Sequence, residues 1–401
     1  MFTRRFTWSL DENPLTAALR ARRDAGLPVV DLTAANPSRV GLAWDAAELG
    51  AALAHPDCVR YDPDPCGMRS AREAVAAYYE NNYGAPVSPD ELVLSASTSE
   101  GYGWLMKLLS DPGDTVLAPA PSYPLLEFLG AMECVSVATY PLVWRDGGWR
   151  VDESSLDAAV TPRTRAILCV NPNNPTGSGL DAADRAALRR VALRHKLALI
   201  VDEVFLDFPA EGLRMGESAA GASLKTFADE TEAATFVMSG FSKIAALPQV
   251  KLGWIGVAGP AEFRREALRR LEFIADTYLS VNSPVQLAAP EIFQKTPVVR
   301  AAIRARCDAN FAKLGAWCRE SGHGVELMPR EAGWYACLRL PRGVGEEAAT
   351  LDLLRREGVS LHPGHFFGFS HEEAWWVVSL LARETDLEAA LPAFDRTLRR
   401  V

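Results

Sequence analysis

The sequence predicts an α/β protein, with a large, mostly parallel sheet sandwiched by helices and a smaller α+β domain. Three observations carry this prediction. Between about residues 90 and 260, short apolar runs rich in β-formers alternate with helical stretches, the pattern of strands joined by crossover helices. Several of these runs are apolar on both faces, as a sheet covered on both sides requires. Beyond about residue 260 the character changes to long charged helical stretches, one strand-like run and a closing helix.

The elements follow in chain order. The first 45 or so residues are broken by Pro and Asn and are expected to pack with the C-terminal part, not with the sheet. ELVLSA (91–96), DTVLAP (114–119), CVSVATY (134–140), RAILCV (165–170), LALIVDEV (197–204), ATFVMSG (234–240) and LGWIGVA (252–258) read as strands. TSEGYGWLMKLLSD (98–111), PLLEFLGAM (124–132) and DAADRAALRRVALRHK (181–196) read as the helices between them. Two further helices are expected over 260–280 and from Thr296 to Glu320, then the strand GWYACLRLP (333–341). The expected domains are 46–270 as the larger unit, and 1–45 with 271–401 as a smaller unit formed by both chain ends.

Composition narrows the function. At 401 residues, 48% hydrophobic and 23% charged, the chain has the makings of a sizeable core and is not of disordered type. A net charge of −9 supplies no general basic surface for nucleic acid. Seven scattered cysteines, odd in number and never spaced CxxC, argue against a disulfide framework or a zinc ribbon. The start, MFTRRFTWSLDENP, has no apolar segment of the secretory kind, and no apolar run approaches the roughly 18 residues of a membrane span. The expectation is a reduced, cytoplasmic protein that binds neither membrane nor nucleic acid. The six histidines form no HExxH, so no metal site is expected, and GxSxG and GxGxxG are absent.

The chemistry concentrates at strand ends. In SGFSKIAALPQVKLGWI (239–255), Lys243 lies just past a strand and Lys251 follows eight residues later. A lysine there is able to form a Schiff base, although a loop lysine taken alone is usually a solvated surface residue. VNPNNPTG (170–177) follows one strand and VDE (201–203) ends another. An asparagine, an aspartate and a lysine therefore come in order at the carboxyl ends of successive strands, where open α/β sheets bind ligands. Ser97-x-x-Glu100 reads as a capping box. It places the amides of Thr98 and Ser99 in a first helical turn, where free N–H groups and the helix dipole favour an anion.

Together these motifs resemble the fold type I family of pyridoxal-phosphate enzymes, specifically the class I/II aminotransferases related to aspartate aminotransferase. The likeness runs from about Leu32 to Val378. It implies that Lys243 holds pyridoxal 5′-phosphate and shuttles a proton, that Asp202 pairs with the pyridinium nitrogen, and that Asn174 donates to the phenolic oxygen. It implies that Tyr123, in PAPSYP, stacks on the ring and that Thr98, Ser99 and Lys251 hold the phosphate. Tyr61, in RYDPDPCG, matches a tyrosine that reaches the phosphate of a neighbouring subunit, which implies a homodimer with shared active sites. The implied partners are a small-molecule amino donor and an oxo-acid acceptor.

Four departures from the family pattern stand out. Lys251 replaces an arginine and loses its bidentate fork. Gly240, flanked by Ser239 and Ser242, stands where a serine is common. Phe205 lacks the hydroxyl of the usual tyrosine, which leaves the phenolic oxygen to Asn174. The arginine that clamps the substrate carboxylate is missing from WWVVSLLA (375–382), where its position falls on Val378. Asn36 and Arg39, in TAANPSRVGL, are the preferred substrate-binding residues, with Arg330 and Arg383 next as cations. Three functions stay open on the sequence: an aminotransferase, a β-eliminating carbon–sulfur lyase on the same cofactor, and a non-catalytic cofactor- or effector-binding protein.

Overall fold

The structure, a computed structural model, describes residues 2–5, 8–213 and 224–401. A two-residue strand, β1 (Val30–Asp31), comes first. The strands of the large sheet are β2 (Leu92–Ser95), β3 (Thr115–Ala120), β4 (Ser136–Arg145), β5 (Gly148–Val151), β6 (Thr164–Val170), β7 (Ala198–Asp202), β8 (Thr235–Gly240) and β9 (Gly253–Ala258). They lie in the order β2-β9-β8-β7-β6-β3-β4-β5. Pairing from β8 through β7, β6 and β3 to β4 is parallel, whereas β9 runs antiparallel to both β2 and β8.

The double cover comes directly from residue alternation along the central strands. Ala166, Leu168, Ala198, Ile200, Phe236 and Met238 enter one core, with Tyr102, Leu105 and Leu271 from the helices Thr98–Leu109 and Ala261–Tyr278. Their alternates Ile167, Cys169, Leu199, Val201 and Val237 enter a second core, with Leu188 and Val191 from the helix Ala182–His195. All seven expected strands and the three expected helices of this region are present. The hairpin strand β5 was not among them. It folds back on β4 through Asp146 and Gly147, both at positive φ, a turn that its Asp-Gly-Gly string encodes.

The smaller sheet takes β10 (Glu326–Leu327), β11 (Tyr335–Arg339), β13 (His362–Pro363) and β14 (Trp375–Ser379), while the short β12 (Val359–Ser360) pairs with β1. The helix expected from Thr296 begins instead at Ser283, capped by Asn282, and runs to Glu320 through Pro290 and Pro297. Its first half buries Val285, Ala288, Ala289 and Ile292 against Val75 and Tyr79 of the helix Arg69–Tyr83, and this burial outweighs the hydrogen bonds lost at the prolines. Its second half contributes Ile303, Cys307 and Leu314 to the core under the small sheet, so one helix is shared by both packing units. Near the N-terminus, Trp8 meets Phe128 edge-on at 4.8 Å, on the large-sheet side. Among the described residues no helix is long and apolar enough to cross a membrane.

Asn310 ties this long helix to the chain after β14, donating from Nδ2 to Leu380 O at 2.9 Å and Ala382 O at 2.7 Å. Replacing it with alanine leaves two buried carbonyls short of a donor. Asn310→Ala should therefore cost about 2–3 kcal/mol of stability, read from the urea unfolding midpoint; a loss below about 0.5 kcal/mol would contradict this role.

Candidate active site

The strand order brings four of the expected residues to one edge. Lys243 follows β8, Asp202 ends β7, Asn174 follows β6 and Tyr123 follows β3, and these four strands are consecutive neighbours. At about 4.8 Å between strands, the four strand ends spread over about 14 Å of the carboxyl edge.

Asp202 is buried, accepting from Tyr102 Oη at 2.8 Å and from the Val204 amide at 3.1 Å. Burial pushes its carboxyl up, while the Val204 amide, the Tyr102 hydroxyl and the nearby Lys243 pull it back. Lys243 responds in the complementary way: burial pushes its ammonium down and Asp202 opposes this. Its Nζ lies 5.1 Å from the ring centre of Trp334 and 5.7 Å from that of Phe205. Phe205 meets Trp334 and Tyr335 edge-on, so an aromatic wall stands on the substrate side of the lysine. Tyr123 is half-buried, makes no ring pair among the described residues, and has its phenol pushed up to about 12 by burial and then by Asp202.

Asn174 sits in a closed loop. Asn173 N donates to Ser178 O and Gly177 N to Asn173 O, both at 2.8 Å, while Asn173 Nδ2 reaches Thr176 Oγ1 and Pro121 O. Asn174 itself is buried with its Oδ1 unpartnered in the chain.

The anion site is assembled from three segments. The helix Thr98–Leu109 has Ser97 as N-cap, accepting from Glu100 N at 3.2 Å. The expected capping box is only half formed, because Glu100 Oε2 turns to Ala96 N at 2.7 Å and Ser280 Oγ at 2.7 Å and not to the amide of Ser97. The amides of Thr98 and Ser99, in the first turn, are left without an acceptor among the described residues. Gly253 closes the cradle: a Cβ there would lie 3.1 Å from Thr98 N. Lys251 is exposed two residues earlier, at φ +63°, and makes no ion pair among the described residues. Ser239 Oγ is buried without a partner at the end of β8.

Val378 packs with Trp376 and Leu380 in the core beneath the small sheet, a cluster that also takes in Phe205 and Trp334 beside Lys243. Val377 faces the other way, opposite Cys337 and His362 on the flanking strands, and Cys337 Sγ donates to Pro175 O at 3.4 Å, beside Asn174. Opposed residues of antiparallel strands share a face, so Val377 is the β14 side chain turned toward the Asn174 loop. One residue of register decides this. His362 adds no fixed cation there, since burial pushes its imidazole down.

Arg330, a candidate cation on the sequence, is consumed: it is paired with Asp308, donates to Gly333 O at 3.1 Å and lies over Phe311. Arg383 is exposed at the start of the helix Glu384–Leu398. Arg39 is exposed and makes no ion pair among the described residues. It lies on a strap fixed at both ends, by Ser379 Oγ donating to Ala34 O and by Trp44 Nε1 donating to Ala245 O at 2.7 Å, two residues beyond Lys243. Asn36 caps the short helix Pro37–Val40 through Ser38. Tyr61 is 80% exposed and stands apart from Lys243 in this chain. Among the described residues no group of three His, Cys, Asp or Glu is placed to hold a metal.

Three residues at this edge were not anticipated as site residues. Tyr102 lies one helical turn beyond the Thr98 amide, a spacing that turns it inward to Asp202. Trp334 was read only as part of a strand, and Glu331 was not singled out at all.

Comparison with known proteins agrees with this geometry. The sequence model of the family described as "Aminotransferase class I and II" matches residues 29–392. The arginine–pyruvate transaminase of Pseudomonas aeruginosa is 30% identical over 314 residues, covering 76% of this chain and 74% of that one. The alanine aminotransferase of Mycobacterium tuberculosis is 28% identical over 339 residues, covering 82% and 76%. Among solved structures, the alanine aminotransferase from Pyrococcus furiosus superposes with a TM-score of 0.88 at 20% identity over 100% of both chains, a likeness of fold.

Burial that holds Lys243 toward its neutral amine makes it the preferred nucleophile of the chain. An aromatic aldehyde followed by borohydride at pH 7.5 should label Lys243 ahead of Lys251 and Lys107, as read by peptide mass mapping. Equal labelling of the three would contradict the depressed ammonium.

Proposed function

This chain belongs to the class I and II aminotransferases, fold type I enzymes that move an amino group between an amino acid and a 2-oxo acid, and we propose that it does so with pyridoxal 5′-phosphate held by Lys243. The observation that carries this reading is the consecutive placement of Lys243, Asp202, Asn174 and Tyr123 on β8, β7, β6 and β3, beside the cradle at Gly253. The residues fit the cofactor: Asn174, whose side chain makes no hydrogen bond among the described residues, the amides of Thr98 and Ser99, which have no acceptor among them, and the ring face of Tyr123, which pairs with no other ring among them, each lack what it brings.

In this reading the Lys243 amine binds the cofactor covalently. Asp202, fixed by Tyr102 and Val204, faces the ring nitrogen. Thr98, Ser99 and Lys251 take the phosphate, Tyr123 stacks on the ring, and Asn174 donates to the phenolic oxygen without help from Phe205. When bound, the cofactor supplies an electron sink for the carbon that loses its proton. Lys243 Nζ, once the donor's amine has displaced it from the cofactor, would take that proton from the donor's Cα and return it, a task suited to an amine whose ammonium burial pushes down. The wall of Phe205, Trp334 and Tyr335 keeps water from the lysine.

Arg39 and Asn36 bind the substrate, with Arg39 taking its carboxylate. Val377 offers no charge and Arg330 is already paired, whereas Arg39 is unpaired on a strap anchored two residues from Lys243. Tyr61 and Val59, 80% and 86% exposed, belong to a surface covered by a second subunit, with Tyr61 reaching that subunit's phosphate. We assign 46–270 to the cofactor-holding unit, and 1–45 with 271–401 to the smaller one. All seven cysteines are free, which suits a reducing cytoplasm.

The purified protein should be yellow, and a suitable amino donor should bleach it; Lys243→Ala should lack the colour and fall in kcat by more than about 10³-fold. A colourless native protein supplied with cofactor would overturn the reading. Arg39→Ala should raise KM by about tenfold or more and change kcat less than about threefold, because a carboxylate contact made equally in ground and transition states contributes to binding alone. An unchanged KM would remove Arg39 from the site.

A further inference from the structure

We propose that Glu331 is a positioning residue: its carboxylate fastens the loop carrying Asn174 to the loop carrying Trp334, and so fixes where the Asn174 amide meets the cofactor. This rests on the role assigned to Asn174 above.

Among the described residues no hydrogen bond anchors the Asn174 side chain, its Oδ1 being buried without a partner, so its position is inherited from the loop around it. That loop meets the segment before β11 at two adjoining points. Glu331 N and Ala332 N both donate to Gly177 O at 2.9 Å, and Glu331 Oε2 accepts from Gly179 N at 2.6 Å. The approach leaves no room for side chains. Gly177 has φ +69°, and a Cβ there would lie 2.5 Å from Ala332 O. Glu331 Oε1 lies 3.5 Å from Arg150 Nη2, and Arg150 Nε is in turn 3.3 Å from Asp181 Oδ2.

The same segment is held on its far side. Gly333 N donates to Phe208 O at 2.9 Å and Leu380 N to Trp334 O at 2.7 Å. The segment carrying Trp334 and the loop carrying Asn174 are therefore placed against each other through Glu331 and Ala332, with Glu331 adding a side-chain bond to the backbone ones. Its side chain is only 12% exposed, where a charge-assisted hydrogen bond is stronger and more directional than at the surface. The backbone bonds set the approach of the two loops, and the carboxylate locks the last turn after Gly177.

Spectrophotometric pH titration of the holoenzyme's lysine–cofactor chromophore tests this, with oligomeric state and circular dichroism as folding controls. An N–H donated to the phenolic oxygen favours its ionised form, so a displaced Asn174 raises the titration midpoint. Glu331→Ala should raise it by about one unit, and Asn174→Ala by at least as much. Glu331→Gln keeps an oxygen for Gly179 N and should stay within about 0.3 unit of the parent. In an Asn174→Ala background, Glu331→Ala should add nothing further. If Glu331→Ala does not fold, Glu331→Asp replaces it, since the shorter carboxylate withdraws from Gly179 while keeping its charge. A midpoint that moves in Asn174→Ala but not in the Glu331 variants, or a Glu331 shift that persists without Asn174, overturns the proposal. A midpoint unmoved by Asn174→Ala overturns the role of Asn174, and this inference with it.

Discussion

Asp202 and Lys243 end neighbouring strands in a setting where burial works against charge on both, pushing the carboxyl up and the ammonium down. Everything else at the site answers to that pair. Tyr102 and the Val204 amide hold the carboxylate, and the rings of Trp334 and Phe205 stand beside the amine, whose ammonium burial pushes down. Taking the charges of an acid and a base out of water is costly, and the doubly covered edge of the sheet withdraws Asp202 fully and Lys243 in part.

Chemistry at this edge depends on loops more than on strands, and the loops are made rigid by close backbone approach. Gly253 lets β9 come against the first turn of the helix Thr98–Leu109, and Gly177 lets the segment before β11 come against the Asn174 loop. Both glycines stand where a Cβ would fill the space a ligand or a neighbouring backbone needs. The resulting frame joins the large sheet to the small one through Glu331, Arg150 and Asp181, an ionic cluster that a count of surface salt bridges would undervalue because Arg150 at its centre is buried.

Substrate recognition is where this chain departs furthest from its family. The β14 face that looks toward Asn174 shows Val377, with Cys337 and His362 to either side, and carries no fixed positive charge. The strap from Ala34 to Trp44, which carries Arg39, is bound to β14 at one end and to the lysine's own loop at the other, and Arg39 makes no ion pair among the described residues.

Much of this was legible in the sequence, because strand alternation, turn residues and the strings around Lys243, Asp202, Asn174 and Tyr123 are local signals. Apolar runs determined seven strands of the large sheet, and the asparagine, aspartate and lysine at or just past the ends of three of them marked the ligand edge. Local signals stopped at distance and register. That β3 lies next to β6, so that Tyr123 adjoins Asn174, is a matter of topology and not of spacing. Val377 lies opposite Cys337 and His362 because register decides it, one residue reversing every side chain of a strand. Arg330 proved unavailable because Asp308, distant from it in sequence and brought close by the fold, had already neutralised it. The sequence by itself thus determined the chemical inventory and the elements that carry it, through propensities that act over a few residues. The tertiary structure alone decided which groups are paired, which are buried and which remain free to act, because those properties depend on neighbours from far along the chain.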